Sequence, residues 1–349
     1  MAEDSGTAAT SGNRTTVKLA LRYDMRAPGI GVGSPDQYAA ALEHVAWADE
    51  LGFETVYLAE HHGADDGYCA APMILGSAML GRTRRMTVHL SALVAVLHHP
   101  LRLAEDLAAL DLVGGGRVEV TLGLGYRDSE YRMFGIERRR RVQTLEEIVE
   151  VLRQAWTGEE FDFRGEPVKV RPRPARPQGP PLYIGGSAEA SAIRAARIGD
   201  GYRPAGSEKD RLYEIYAAER ERLGAPVPPR APVLGPLFLF VSEDPARDWE
   251  IVAPHVLYTT NANANWARER GVGTTAYRPA AGLAELRTDP NIRVVTPQEC
   301  VELCQKLGPD AELVFQPLMG GLPLDAGRRS LRLFETAVLP ELVELGYRP

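Results

Sequence analysis

The chain is short of cysteine, short of lysine and without any long apolar run, and each shortage removes a class of protein. Three cysteines, Cys69, Cys300 and Cys304, in 349 residues cannot make a disulfide framework. Cys300 and Cys304 stand four apart on an expected helix, with no further Cys or His close by in sequence to complete a metal site. They read as reduced, buried thiols, and no metal is expected. No stretch approaches the roughly 18 apolar residues of a membrane span, and the N-terminus has no charged-then-apolar leader pattern. A soluble, cytoplasmic protein is therefore expected, with no membrane partner. Four lysines stand beside a scatter of arginines, and the formal net charge is -7. That balance argues against a nucleic-acid partner. The chain also lacks a Gly-x-Ser-x-Gly elbow and a Gly-Lys-Ser/Thr phosphate loop, so acyl transfer and ATP chemistry lose their usual landmarks.

What remains is an ordinary enzyme-like composition, 44% hydrophobic and 25% charged, arranged in a repeating pattern. Residues 1–16 are small and polar and are expected to form a disordered tail, leaving 17–349 as one domain. Strands are expected at Val17–Tyr23, Thr55–Ala59, Met86–Leu97, Val118–Leu122, Leu182–Gly186, Gly201–Arg203, Leu234–Val241 and Glu312–Gln316. Helices fall between most of them, the first opened by Ser34-Pro35-Asp36 as N-cap and first-turn proline, and another stopped by Gly114-Gly115-Gly116. Eight strands alternating with helices are the arithmetic of a (β/α)8 TIM barrel. The surplus length forms insertions at the carboxyl face: a proline-rich excursion at 161–181 and a cap at about 254–296. The cap shows no continuing alternation, and Trp266, Tyr258 and Tyr277 argue that it is ordered rather than a disordered insertion.

Polar and glycine-rich residues gather where the expected strands end, which is where such folds keep their chemistry. Glu60-His61-His62 follow the second strand. Ser91-Ala92 lie in the third and lead to His98-His99-Pro100. Gly123-Leu-Gly125-Tyr126-Arg127 follow the fourth, where bare backbone lets a flat ligand approach. Gly185-Gly186-Ser187 open a helix after the fifth, leaving free N–H groups at the positive end of the helix dipole. Read by themselves, the histidines fit a hydrogen-bonded turn as well as a reacting group, and Ser187 fits an N-cap as well as a phosphate seat.

Taken together these motifs resemble the bacterial luciferase-like monooxygenase superfamily. The resemblance rests on Leu58-Ala-Glu-His-His62, the run His98 to Leu112, Gly115-Gly-Arg117, Gly123 to Arg127, Phe134-Gly135, Pro180 to Ser187 through Gly201, Pro317 to Pro323, and Val338-Leu-Pro340. It implies a flavin-dependent oxidoreductase. The first expectation is a monooxygenase that takes reduced FMN from a separate flavin reductase and acts on a small organic substrate, as a homodimer. The resemblance also leaves room for a coenzyme F-420 (deazaflavin) enzyme that transfers hydride, or for a non-catalytic flavin-binding partner subunit. Carried over residue by residue, it places His61 beside the flavin as the catalytic group. Ser91 and Ala92 match a position that is often a non-prolyl cis peptide against the ring. Gly123, Gly125 and Tyr126 match the ring edge, and Gly185, Gly186 and Ser187 with Arg141 match the phosphate site. Gly123 stands where luciferase has a reactive cysteine, so light emission is not expected. The deazaflavin glucose-6-phosphate dehydrogenases of the same superfamily have a glutamate near Tyr126 and a tryptophan four residues after the histidine, where this chain has Asp65.

Overall fold

The computed structural model describes residues 17–269, 279–308 and 311–347. The expected disordered tail and Tyr277 lie outside the described residues. The strands are β1 (Lys18–Tyr23), β2 (Thr55–Leu58), β3 (Thr87–Val94), β4 (Val118–Gly123), a hairpin of β5 (Phe161–Phe163) and β6 (Glu166–Val168), β7 (Leu182–Gly186), β8 (Gly201–Pro204), β9 (Val233–Leu234), β10 (Phe238–Val241), β11 (Ile292–Val295) and β12 (Ala311–Phe315). Between and after them run α1 (Ser34–Glu50), α2 (Pro72–Arg82), α3 (Pro100–Gly114), α4 (Asp128–Met133), α5 (Arg141–Thr157), α6 (Glu189–Ile198), α7 (Lys209–Arg222), α8 (Pro245–Glu269), α9 (Leu283–Leu286), α10 (Pro297–Leu307), α11 (Leu324–Leu333) and α12 (Leu339–Glu344). Helix α1 takes Gly33 as its N-cap, so Ser34 lies one residue inside the expected start. Gly115, in the left-handed region at φ 57°, ends α3.

Eight strands form one sheet in the order β8-β7-β4-β3-β2-β1-β12-β9, and its pairings are parallel. The side chains alternate. Leu19, Leu21, Val56, Leu58, Val88, Leu90, Val120 and Leu122 pack with the helices in the main core. The opposite, concave face carries Arg22, Tyr57, His89, Glu119, Thr121, Tyr183, Arg203 and Glu312. There the Tyr57 hydroxyl meets both Glu312 carboxylate oxygens at 3.0 and 2.8 Å, and His89 Nε2 lies 2.8 Å from Thr121 Oγ1. Burial pushes the Glu312 carboxyl up, against the pull of the Tyr57 hydroxyl and of Arg22, Arg203 and Lys18. Arg203 stands on β8 at one edge of the sheet and Glu312 on β12 near the other. The sheet therefore curls until its two sides share an electrostatic interior.

Among the described residues the curl is not sealed by backbone pairing. The ladder ends at β8 on one side and β9 on the other, a curled parallel α/β half-barrel whose described pairings do not close the expected eight-stranded ring. The expected seventh strand is split into β9 and β10, and β10 leaves the sheet to pair in parallel with β11. Gly235 still donates to the Glu312 carbonyl at 2.9 Å. Pro236 follows it, has no N–H to continue the ladder, and the chain turns away. The expected cap also proves more regular than the sequence suggests. Its first part, from Pro254 onward, is the second half of α8, and β11 lies near its far end. The proline-rich excursion holds the β5–β6 hairpin and is fastened to α3 by Arg176, whose Nη2 donates to buried Asp111 at 2.9 Å. No described helix is long and apolar enough to cross a membrane.

One carboxylate fixes the entry to β3. Asp49, near the end of α1, accepts the backbone N–H groups of Arg84, Arg85 and Met86 at 2.8, 2.8 and 2.6 Å. Burial opposes its ionisation, but those three donors and the Arg85 charge prevail and lower its pKa. Asp49→Ala should leave three backbone donors unanswered and cost about 2 to 4 kcal/mol. Urea unfolding at neutral pH measures this, and a loss under about 0.5 kcal/mol would show that the turn satisfies itself without the carboxylate.

Candidate functional site

The concave face is buried along the middle of the strands and opens where they end. Ser91 and Ala92 on β3, Gly123 to Tyr126 from the last residue of β4, and Gly185 to Ser187 from the end of β7 are all half-exposed, while Leu90, Leu122 and Ile184 just before them are buried. The Ser91–Ala92 peptide is cis, and the β3–β4 register shifts between Ser91 and Leu93. Side chains are sparse here for a steric reason. A Cβ on Gly123 would stand 3.3 Å from that of Ala92, one on Gly185 3.0 Å from Thr121 Cγ2, and one on Gly186 2.4 Å from Ser191 Oγ. A Cβ on Gly125, at φ +71°, would lie 2.7 Å from Val94 Cγ1. Three neighbouring strands thus end in a shelf of nearly bare backbone, which suits a flat ring system.

At one end of the shelf is the start of α6. Its N-cap is Ala188, not Ser187, and the Ala188 N–H is answered by Ser191 Oγ at 3.2 Å. Ser191 in turn lies 3.0 Å from the Tyr202 hydroxyl, which donates to the Gly186 carbonyl at 3.0 Å. The turn is thereby fixed with the first N–H groups of a ten-residue helix at its mouth. Arg141 begins α5, and its Nη1 donates to the Arg138 carbonyl at 3.1 Å.

At the other end stand the three residues after β2, and each side chain takes a different partner. Glu60 turns toward β3. Its Oε2 accepts the Val94 N–H at 2.5 Å, and its Oε1 meets His62 Nε2 at 3.0 Å and His98 Nε2 at 2.9 Å. Burial opposes ionisation of this carboxyl, yet the hydrogen bonds from His62, His98 and Val94 overcome it and lower its pKa to about 2. His61 turns the other way. Its Nδ1 lies 2.9 Å from Glu130 Oε1, and its Nε2 lies 3.3 Å from the Tyr126 hydroxyl. Glu130, in α4, also accepts the His62 N–H at 3.0 Å and reaches Arg127 Nη1 at 3.4 Å. It too is lowered in pKa, its donors prevailing over burial. With an ionised acceptor at Nδ1, that nitrogen carries the proton. Nε2, which the Tyr126 hydroxyl meets, is then the acceptor end of His61.

Helix α8 closes over this group. His255 Nδ1 lies 2.8 Å from the Gly320 carbonyl, Tyr258 donates to Asp66 at 3.0 Å, and Arg26 Nη2 donates to Asn263 at 2.9 Å. Near its end, Trp266 meets the His61 ring at 4.8 Å between centroids in an edge-on arrangement, with Tyr68 on the same imidazole at 4.9 Å. The Arg26 and Arg127 guanidinium groups each lie 4.1 Å from the centre of a Trp266 ring. Arg26 is fully buried and forms an ion pair with Asp66. Among the described residues no set of three His, Cys, Asp or Glu side chains is placed to hold a metal ion.

The structure thus brings His61 and Tyr126 into direct contact, and lines up Ser91, Ala92, Gly123, Gly125, Gly185, Gly186 and Ser187 along one mouth of the sheet. Sequence reasoning missed Glu130, Trp266, Tyr68 and Arg26. Glu130 lies far from His61 along the chain, and only its place in the turn after β4 hinted at it.

A model of the luciferase-like monooxygenase family matches residues 20–314. Among curated proteins, the 4-hydroxyprotoasukamycin monooxygenase of Streptomyces nodosus subsp. asukaensis is 29% identical over 167 residues, 44% of this chain and 43% of that one. An F420-dependent glucose-6-phosphate dehydrogenase of Nakamurella multipartita is 31% identical over 178 residues, 48% of this chain and 52% of its own. The chain spans about half the length of the curated relatives it matches. Among solved structures, the oxygenating constituent of 3,6-diketocamphane monooxygenase from Pseudomonas putida, in complex with FMN, shares the fold with a TM-score of 0.70. It is 16% identical, with 94% of this chain and 99% of that one covered.

The Glu60 contacts have a pH signature. Its pKa of about 2 in the fold compares with about 4.3 for an unfolded glutamate, a gap worth about 3 kcal/mol. A lowered carboxyl stabilises above the unfolded value and loses that contribution as pH falls toward the folded one. The stability gap between the native chain and Glu60→Gln should therefore be largest above about pH 5 and shrink between about pH 4 and pH 2. Urea titrations across that range measure it, and a gap independent of pH would remove the ionised carboxylate from the account.

Proposed function

The chain belongs to the luciferase-like monooxygenase family, and from that premise we propose that it is a flavin-dependent oxidoreductase, namely an FMN-dependent monooxygenase acting on a small organic substrate. The observation that carries this reading is the half-exposed, side-chain-poor shelf at the ends of β3, β4 and β7 with the Glu130–His61 pair at its edge. Bound there, FMN supplies the two-electron chemistry toward oxygen that no side chain of the site offers. Ser91, Ala92, Gly123, Gly125 and Tyr126 would hold its ring. Gly185, Gly186 and Ser187, with Arg141, would hold its phosphate at the head of α6. His61 holds or moves a proton at Nε2, Glu130 keeps its ring in register, and Tyr68 and Trp266 keep water from it. We place the reduced cofactor's source in a separate reductase and the working form in a homodimer.

A second reading has one observation in its favour. Deazaflavin enzymes of this superfamily pair the histidine with a glutamate and a tryptophan. Asp65 stands at the expected tryptophan position, yet Trp266 arrives on His61 from α8, and Glu130 bonds the same imidazole. Hydride transfer with coenzyme F-420 is thus the alternative.

Binding and turnover divide these readings. Titration of the purified chain should show FMN binding more tightly than riboflavin by about 1 to 3 kcal/mol, the scale of charge-assisted hydrogen bonds to the phosphate, and more tightly than coenzyme F-420. Preference for the deazaflavin would select the second reading, and equal affinity for riboflavin and FMN would remove the phosphate seat. With the preferred cofactor, His61→Gln should keep its melting temperature and lose about 10²-fold or more in turnover. Glu130→Gln, which still offers Nδ1 an oxygen, should lose about tenfold. Normal turnover per folded molecule in His61→Gln would make the histidine a scaffold.

A further inference from the structure

The place beside His61 that Trp266 occupies is built to hold a flat ring. Two guanidinium groups lie over the indole at 4.1 Å each, and both belong to buried arginines, 0% exposed for Arg26 and 7% for Arg127. Their hydrogen-bonding edges are only partly engaged, since the Nε of each is buried without a hydrogen-bond partner. Arg26 bonds Asp66 and Asn263, and Arg127 bonds the His62 carbonyl at 2.8 Å and reaches Glu130. What these cations offer a neighbour is their planar faces, which attract the negative face of an aromatic ring and more strongly an anionic one.

The present occupant is only half-buried and is not needed to hold α8 down. Tyr258 bonds Asp66, Asn263 accepts from Arg26, and Asn261 exchanges hydrogen bonds with the Ala280 backbone at 3.0 and 2.9 Å. The indole therefore fills the place without being what fastens the helix.

We propose that this place is the substrate's: a planar, electron-rich aromatic of the phenolate class displaces the Trp266 indole, lies over Arg26 and Arg127, and presents its oxygen to His61 Nε2. Trp266 is then a specificity-determining residue. It competes with the substrate for a site whose planar cations favour an aromatic ring over an aliphatic chain. The inference rests on the reading of His61 as the proton-exchanging group and extends it to substrate class.

The test uses the full chain, with and without bound FMN, and needs no turnover. With 4-nitrophenolate as probe, acrylamide quenching isolates Trp266 by difference against Trp266→Phe, since three other tryptophans are present. Binding should raise the accessibility of Trp266, and octanal at equal concentration should not. Trp266→Ala, with its melting temperature checked against Trp266→Phe, should bind the phenolate about tenfold more tightly, because a competing closed state has been removed. Weaker binding would show that the indole is a stacking wall and overturn the proposal. So would equal binding of octanal, phenolate binding with quenching unchanged, or exposure of Trp266 by FMN itself in competition with the phenolate. FMN affinity, measured separately, stays intact if only the substrate inference fails.

Discussion

The buried Glu60 carboxylate is the contact on which the geometry of the site depends. It closes the end of β2 against the loop beyond β3, using the Val94 N–H and the two imidazoles of His62 and His98, and its own N–H donates to the Ala92 carbonyl at 3.2 Å. A carboxylate removed from water needs several donors to stay ionised, and Glu60 has them. The consequence falls on its neighbour. In an extended segment successive side chains take opposite sides, so fixing Glu60 and His62 toward β3 turns His61 toward α4 and Glu130. The histidine is aimed by the residues flanking it as much as by its own hydrogen bond.

Beneath the shelf the concave face is unusually polar for a parallel sheet, whose interior is more often filled by branched apolar side chains. Its charges hold one another. Glu119 lies 3.4 Å from His89 and 3.7 Å from Arg203, and Arg203 stacks on Tyr183 at 4.5 Å. Burial, with Arg203 and Arg22 beside it, drives the His89 pKa well down, so this imidazole stays neutral. The same physics gives two histidines separate fates. His89, pressed by cations, is a fixed dipole in the floor. His61, paired with the Glu130 carboxylate, stands at the edge of the shelf.

How much of this the sequence discloses varies with how local the cause is. The alternation of Leu19, Leu21 and Tyr23 with Lys18, Ala20 and Arg22 marks β1 directly, and comparable patterns mark β3, β4 and β12. Glu60-His61-His62 stand out because chemistry-bearing residues crowd the end of a short apolar strand. Helix α8 is hidden by its composition, since Asn261, Asn263 and internal Pro254 all weaken a helix by propensity. The asparagines are there for contacts made far away, with Ala280 and Arg26, and tertiary contacts override the local preference. Glu130 and Trp266 are silent for a related reason. Each reaches His61 only when α4 and α8 pack against it, and no spacing rule spans such separations. The Gly235-Pro236 break between β9 and β10 is the opposite case, a local signal present in the sequence but absorbed into one apolar run.

The pairing at Glu130 fixes the form of the imidazole it holds. Its Oε1 gathers His61 Nδ1, the His62 N–H and Arg127 Nη1, while its Oε2 is buried with no hydrogen-bond partner in the fold. Three donors on one oxygen are enough to keep the group ionised, and an ionised Glu130 fixes the Nδ1–H form of the ring. That leaves His61 Nε2, which the Tyr126 hydroxyl meets at 3.3 Å, as the acceptor end of the ring.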